Sequence, residues 1–157
     1  MQEKIKKPTN LHKLVILARK NADFFQDLDR RAYARITKGD QRGELYPLDS
    51  SCFENWLSAI NFKVHDEVAS SKLKLDAREH LEVESRLSGK NYNVGLRVIS
   101  NEEFIEIDLG DQDWKSVQIT KDGWRVRAHK NFFYRNNSIK ALPVPCRDKL
   151  DDDWVES

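Results

Sequence analysis

Ile105 to Ala128 reads I-E-I-D-L-G-D-Q-D-W-K-S-V-Q-I-T-K-D-G-W-R-V-R-A, and the class of the fold turns on how its apolar residues repeat. Ile105, Ile107 and Leu109 alternate with Phe104, Glu106 and Asp108, and Val117 and Ile119 keep the same period between Lys115 and Thr120. Asp122-Gly123 is a tight-turn pair, beyond which Trp124, Val126 and Ala128 alternate with arginines. A period of two sends successive side chains to opposite faces of a strand, so the stretch predicts strands joined by short turns. Gly110 and Asp111 are expected to form the bend between the first two, with Asp113 bonding its own backbone. Glu106 and Asp108 share one face of the first strand, and two readings are open for them. They are solvated positions on the open face of an antiparallel sheet, or they share a divalent cation, with Asp111 or Asp113 approaching from the turn.

The same period extends upstream through Val94, Leu96 and Val98 and downstream into a last strand at Phe132 to Arg135. Before Gly89 the spacing changes to three and four. Leu11 to Phe25 reads as a helix on Leu11, Leu14, Val15, Ala18, Ala22 and Phe25, with Thr9 or Asn10 as its cap. Short strands at Ala32 to Ile36 and Glu44 to Leu48 flank T-K-G-D-Q-R-G, a hairpin loop across which Tyr33 and Tyr46 are expected to pair. Ser51-x-x-Glu54 opens a second helix as a capping box, followed by Phe53, Trp56, Leu57 and Ile60. A third helix carries Leu73, Ala77, Leu81 and Leu87 and stops at Gly89. The expected fold is α+β: about three helices packed on an antiparallel β-meander, with an additional short N-terminal hairpin. Residues 11–145 form one domain, after a basic segment 1–10 and before an acidic tail or linker 146–157.

Net charge is only +1, but the charges are segregated. From Lys115 to Arg147 eight basic residues stand against Asp122 alone, with Glu102, Glu103, Glu106, Asp108, Asp111 and Asp113 before them and the acids of the tail after. Lys4, Lys6, Lys7, Lys13, Arg19 and Lys20 make a second positive region. Arg125, Arg127 and His129 lie on one strand face opposite Trp124, Val126 and Ala128, and Lys130 to Arg135 interleaves Phe132, Phe133 and Tyr134 with charge. Guanidinium groups neutralise phosphates and exposed rings stack on bases, which makes Arg125, Arg127, Lys130, Phe133, Tyr134 and Arg135 candidate nucleic-acid contacts. The structural alternative buries the aromatics and pairs the arginines with Glu106 and Asp108 on neighbouring strands.

Other chemistries find little support. G-x-S-x-G, Walker A and G-x-G-x-x-G motifs are absent, and His12, His65, His80 and His129 are scattered. Cys52 and Cys146 stand far apart, with no zinc or redox spacing; Cys52, in the first turn of a helix, reads as a small buried side chain. The charged N-terminus lacks the apolar run of a signal peptide, and no stretch approaches the roughly 18 apolar residues of a membrane helix. A cytoplasmic protein that needs no cofactor and contacts no membrane is expected.

L-V-I-L-A-R-K-N-A-D-F-F-Q-D, A-Y-A-R-I, E-L-Y-P-L-D-S-S-C-F-E-N-W-L, V-G-L-R-V, the opening stretch and L-P-V-P follow one another in an order that resembles the region preceding the ATPase core of primase/helicase-like ATPases of prophages, plasmids and genomic islands. The resemblance spans roughly residues 11 to 145. Its most specific part is D-L-G-D-x-x-W with D-G-W-x-V, matched at Asp108, Gly110, Asp111, Trp114, Gly123 and Trp124. It implies a role in replication or maintenance of mobile DNA and brings no catalytic residue, since the nucleotide-hydrolysing motifs of those proteins lie beyond the matched region. The acid-x-acid strand with a later histidine is also similar to the metal-holding pattern of archaeo-eukaryotic primases, from which it departs by having Glu106 as one acid.

The leading expectation is therefore a non-catalytic accessory domain that binds DNA, single- or double-stranded, or positions an ATPase or helicase domain on it. A protein-interaction module acting through the tail L-D-D-D-W-V-E-S, on a replication partner, is the second expectation. A divalent-metal-dependent nucleic-acid enzyme using Glu106 and Asp108 is the third.

Overall fold

The computed structural model describes residues 8–136 and 138–146. The basic residues Lys4, Lys6 and Lys7 and the tail from Arg147 onward lie outside the described residues. The first helix, α1 (Asn10–Asn21), starts where the Thr9 hydroxyl accepts a hydrogen bond from the His12 N–H. It ends four residues before the expected boundary at Phe25. Asn21 donates its side-chain amide back to the Leu17 carbonyl, and Ala22 is already extended. Ala22–Gln26 is instead a strand, β1, almost wholly buried because both of its faces are covered. Ala22 and Phe25 fit helical spacing only because a strand packed on two sides is apolar at nearly every position.

β1 pairs antiparallel with β2 (Ala32–Ile36), which pairs with β3 (Leu45–Pro47), so the expected hairpin is the outer part of a three-stranded sheet. The register sets Tyr33 opposite Pro47 and Tyr46 opposite Ala34. The two tyrosines therefore lie on opposite faces and do not pair across the hairpin. One face, with Phe24, Ala34, Ile36, Tyr46 and Leu48, packs against the helices; the other, with Phe25, Tyr33 and Leu45, forms a second, smaller core.

Helix α2 (Ser51–His65) is capped by Ser50, whose hydroxyl accepts from the Phe53 N–H. Phe53 holds the position a capping box reserves for Glu or Gln, so the Ser51/Glu54 box does not form. Glu54 faces Arg78 on α3 (Ser71–Leu87) instead. Phe53, Trp56 and Leu57 turn inward, which leaves Cys52 exposed rather than buried. The third helix runs as expected and stops before Gly89, at φ +67°. No helix among the described residues is long and apolar enough to cross a membrane.

The strand expected through Val94, Leu96 and Val98 is broken in two. β4 (Val94–Gly95) and β5 (Val98–Ser100) belong to different sheets, and the chain folds so tightly between them that a Cβ on Gly95 would lie 2.5 Å from Ile99. β5, β6 (Phe104–Asp108), β7 (Lys115–Thr120) and β8 (Gly123–Ala128) form the expected antiparallel meander in sequence order. After β8 the chain crosses back over one face of this sheet, and β9 (Phe132–Phe133) pairs in parallel with β4. Phe132 and Tyr134 thereby reach the second core against Phe25 and Tyr33, which joins the meander to the N-terminal sheet.

The meander's faces are the reverse of a usual half-buried sheet. Glu106, Asp108, Ser116 and Gln118 are buried, whereas Val98 is 51%, Ile105 42% and Ile119 37% exposed. Glu106 and Asp108 are thus not solvated positions on an open face. The returning segment 129–135 covers the polar side and supplies its hydrogen bonds, so burial follows the partners and not the apolar side chains.

Candidate nucleic-acid interface

Asp108 lies at the centre of the covered polar face. Arg135 donates to both of its oxygens, at 2.8 and 2.6 Å, the Gly110 N–H donates at 2.9 Å, and His129 Nε2 lies 2.9 Å away. Burial alone would push the Asp108 carboxyl up; the bonds from His129, Arg135 and Gly110 outweigh it and hold the group well below the usual carboxylate range. His129 Nε2 also lies 3.1 Å from the Lys115 carbonyl. Both neighbours of Nε2 are acceptors, so Nε2 carries the proton. Nδ1 makes no hydrogen bond among the described residues.

Glu106 is satisfied in the same manner, by the Ser116 hydroxyl at 2.6 Å, the Lys130 N–H at 3.0 Å and the Asn131 amide. Burial raises its pKa and these three donors more than reverse the effect. Every oxygen of the two acids is therefore taken by protein donors, and the fixed guanidinium of Arg135 already supplies a cation. A cation shared by Glu106 and Asp108, as one reading of the sequence expected, would compete with these protein donors for the carboxylate oxygens. Among the described residues no three of His, Cys, Asp and Glu gather to hold a metal ion. The bend bond expected of Asp113 is made by Asp111, whose carboxylate accepts from the Lys115 N–H at 2.8 Å; Asp113 pairs with Lys115 Nζ.

The candidate contacts divide into two groups. Phe133 is 2% exposed, its ring tilted against His129 at 4.8 Å, and Arg135 is committed to Asp108, with its Cζ 3.9 Å from the Trp114 ring centroid. Both belong to the packing, and Tyr134 is half-buried in the second core. Phe133 also lines the cavity between the two sheets, and Arg135 a neighbouring one. Arg125 and Arg127, by contrast, do not pair with Glu106 or Asp108. They converge on a neutral acceptor, Gln118 Oε1, at 3.2 and 2.9 Å. Lys130 is exposed, and only its backbone is engaged by Glu106.

Two cationic residues that the sequence did not single out join this second group. Arg35 sits on the second-core face of β2 with its Cζ 5.2 Å from the Phe132 ring, and Arg42 lies in the loop before β3. With Lys130, His129 and Trp114 they line a cavity of about 450 Å³ between the two sheets. Lys130 also borders a second cavity, of about 750 Å³, with Arg125 and Lys121; Glu102, Glu103 and Asp122 stand on its rim. Among the described residues none of Arg35, Arg42, Arg125, Arg127 and Lys130 makes an ion pair with a carboxylate. Lys130 thus borders both clefts: the first gathers Arg35, Arg42 and Lys130, and in the second Lys121, Arg125 and Lys130 share the lining with three acids. The only signal for Arg35 was its place in A-Y-A-R-I, and a local window does not reveal that this strand meets Phe132.

Comparison with protein-family models, with curated proteins and with solved structures finds no match to this chain.

Proposed function

We propose that the protein is a non-catalytic nucleic-acid-binding domain that works beside a mobile-element ATPase of primase/helicase type. One observation carries the binding part of this reading: Arg125, Lys130, Arg35 and Arg42 line two adjoining clefts, and none of them makes an ion pair with a carboxylate among the described residues. Unpaired guanidinium and ammonium groups on a concave surface attract phosphate and release its counterions. The association with an ATPase, and the role in replication, rest on the resemblance of residues 11–145 alone.

Fluorescence anisotropy of labelled single- and double-stranded DNA, titrated with the protein at several salt concentrations, tests the reading. Binding that weakens by at least about tenfold between 50 and 200 mM salt is the expected result. An absence of binding to either form at low ionic strength overturns it.

A further inference from the structure

The cavity between the two sheets has a shape and a chemistry that the second cleft lacks. Its walls come from β2, from the loop before β3, from Trp114 and from the segment after β8. At about 450 Å³ it falls within the roughly 300–1,000 Å³ of small-ligand sites and is too small for a base pair with its two backbones. Arg35 is the element of most consequence. Its guanidinium lies over Phe132, and Phe132 is wedged by Phe25 at 4.7 Å and Tyr92 at 4.8 Å. The guanidinium carbon lies 5.2 Å from the centroid of a fixed ring while the residue as a whole stays exposed. Such a plane accepts any base by stacking.

The opposite wall is equally fixed. Trp114 adopts a left-handed backbone at φ +54°, stabilised by the Asp111 carboxylate on the Lys115 N–H, and Arg135 covers its ring. Its indole edge abuts Gly43, where a Cβ would lie 2.9 Å from Nε1. His129 contributes Nδ1, which makes no hydrogen bond among the described residues and is suited to a polar group of a base or sugar. The acid on this lining, Asp113, is neutralised by Lys115 at 2.7 Å. Arg42 and Lys130 remain for phosphate.

We infer that this cavity seats one unpaired nucleotide of a single strand, its base on the Arg35 plane and its phosphate between Arg42 and Lys130. The inference rests on the nucleic-acid reading and refines it: the ligand class is single-stranded nucleic acid, because a duplex keeps its bases stacked inside and offers none to the cavity.

The test compares three labelled probes of about 12 nucleotides at matched ionic strength: a single strand, the same strand with abasic sugars throughout, and the blunt duplex. Each is titrated with the wild type and with Arg35→Lys, which keeps the charge and loses the plane, after thermal unfolding has shown that the variant is folded. The intact single strand is expected to bind about 10-fold tighter than either of the other probes, and Arg35→Lys is expected to bring the three within about 2-fold with little change in salt dependence. Equal wild-type affinity for the intact and abasic strands overturns the nucleotide seat and leaves general DNA binding standing. So does full discrimination retained in Arg35→Lys. Failure of all three probes to bind overturns the seat together with the reading on which it rests.

Discussion

Asp108 is inaccessible to solvent yet ionised, and it remains so because Arg135, His129 and the Gly110 N–H replace the water it loses. Its folded pKa lies below that of an unfolded aspartate, about 3.9. A depressed carboxylate contributes stability that is present above the unfolded value and is lost as pH falls toward the folded one. Glu106, shifted in the same direction, adds to the effect. The wild type is therefore expected to lose stability steeply below about pH 4. Asp108→Asn should lower stability at pH 7 by about 3–5 kcal/mol, because it strands a buried guanidinium, and should flatten the acid limb. Urea unfolding of both proteins at pH 7 and pH 3 measures this; parallel pH profiles would refute the role given to Asp108. The sequence showed that Glu106 and Asp108 share a strand face. Their burial was hidden, since it depends on a segment more than twenty residues away that folds back to donate to them.

The lesson recurs for whole elements. Strand existence and order from Phe104 to Ala128 were legible from periodicity, and so were the second and third helices. Which face of the meander is covered was not legible, because alternation is symmetric and only the path of 129–135 breaks the symmetry. Boundaries failed for local reasons: Ala22–Gln26 is apolar on both faces, and Ser50 outcompetes Ser51 for the cap. Replacing the cap, Ser50→Ala, should cost about 1 kcal/mol and Ser51→Ala much less, which thermal unfolding of the two variants decides. Gly43 makes a sharper case. It adopts φ +98° and meets the Trp114 indole at van der Waals contact, so Gly43→Ala imposes both backbone strain and a clash. A loss of about 1–3 kcal/mol is expected, with altered tryptophan fluorescence. An unchanged midpoint would mean that the loop before β3 does not hold Trp114.

At the scale of the molecule, two sheets meet through the small core of Phe25, Tyr33, Phe132 and Tyr134, and the candidate interface is the seam beside that core. Of the contacts read from the sequence, Arg125, Arg127 and Lys130 lie on the charged surface, while Phe133 and Arg135 hold the molecule together. Arg35 and Arg42 escaped notice because the residues that share their cavity are remote in the chain, Phe132 reaching Arg35 through the pairing of β4 with β9. Arg135→Ala is accordingly a poor probe of binding: it should unfold the protein more easily, by about 3 kcal/mol or more, through the loss of the Asp108 pair.

The most direct measurement of the central claim is the salt dependence of single-stranded DNA binding by the wild type and by a variant with Arg35, Arg42 and Lys130 changed to alanine. The triple variant is expected to remain folded, to bind more weakly and to show a log–log salt slope shallower by about 1.4, the equivalent of the two phosphate contacts of Arg42 and Lys130. Identical slopes and affinities in two folded proteins would place the nucleic-acid contact elsewhere and contradict the proposed interface.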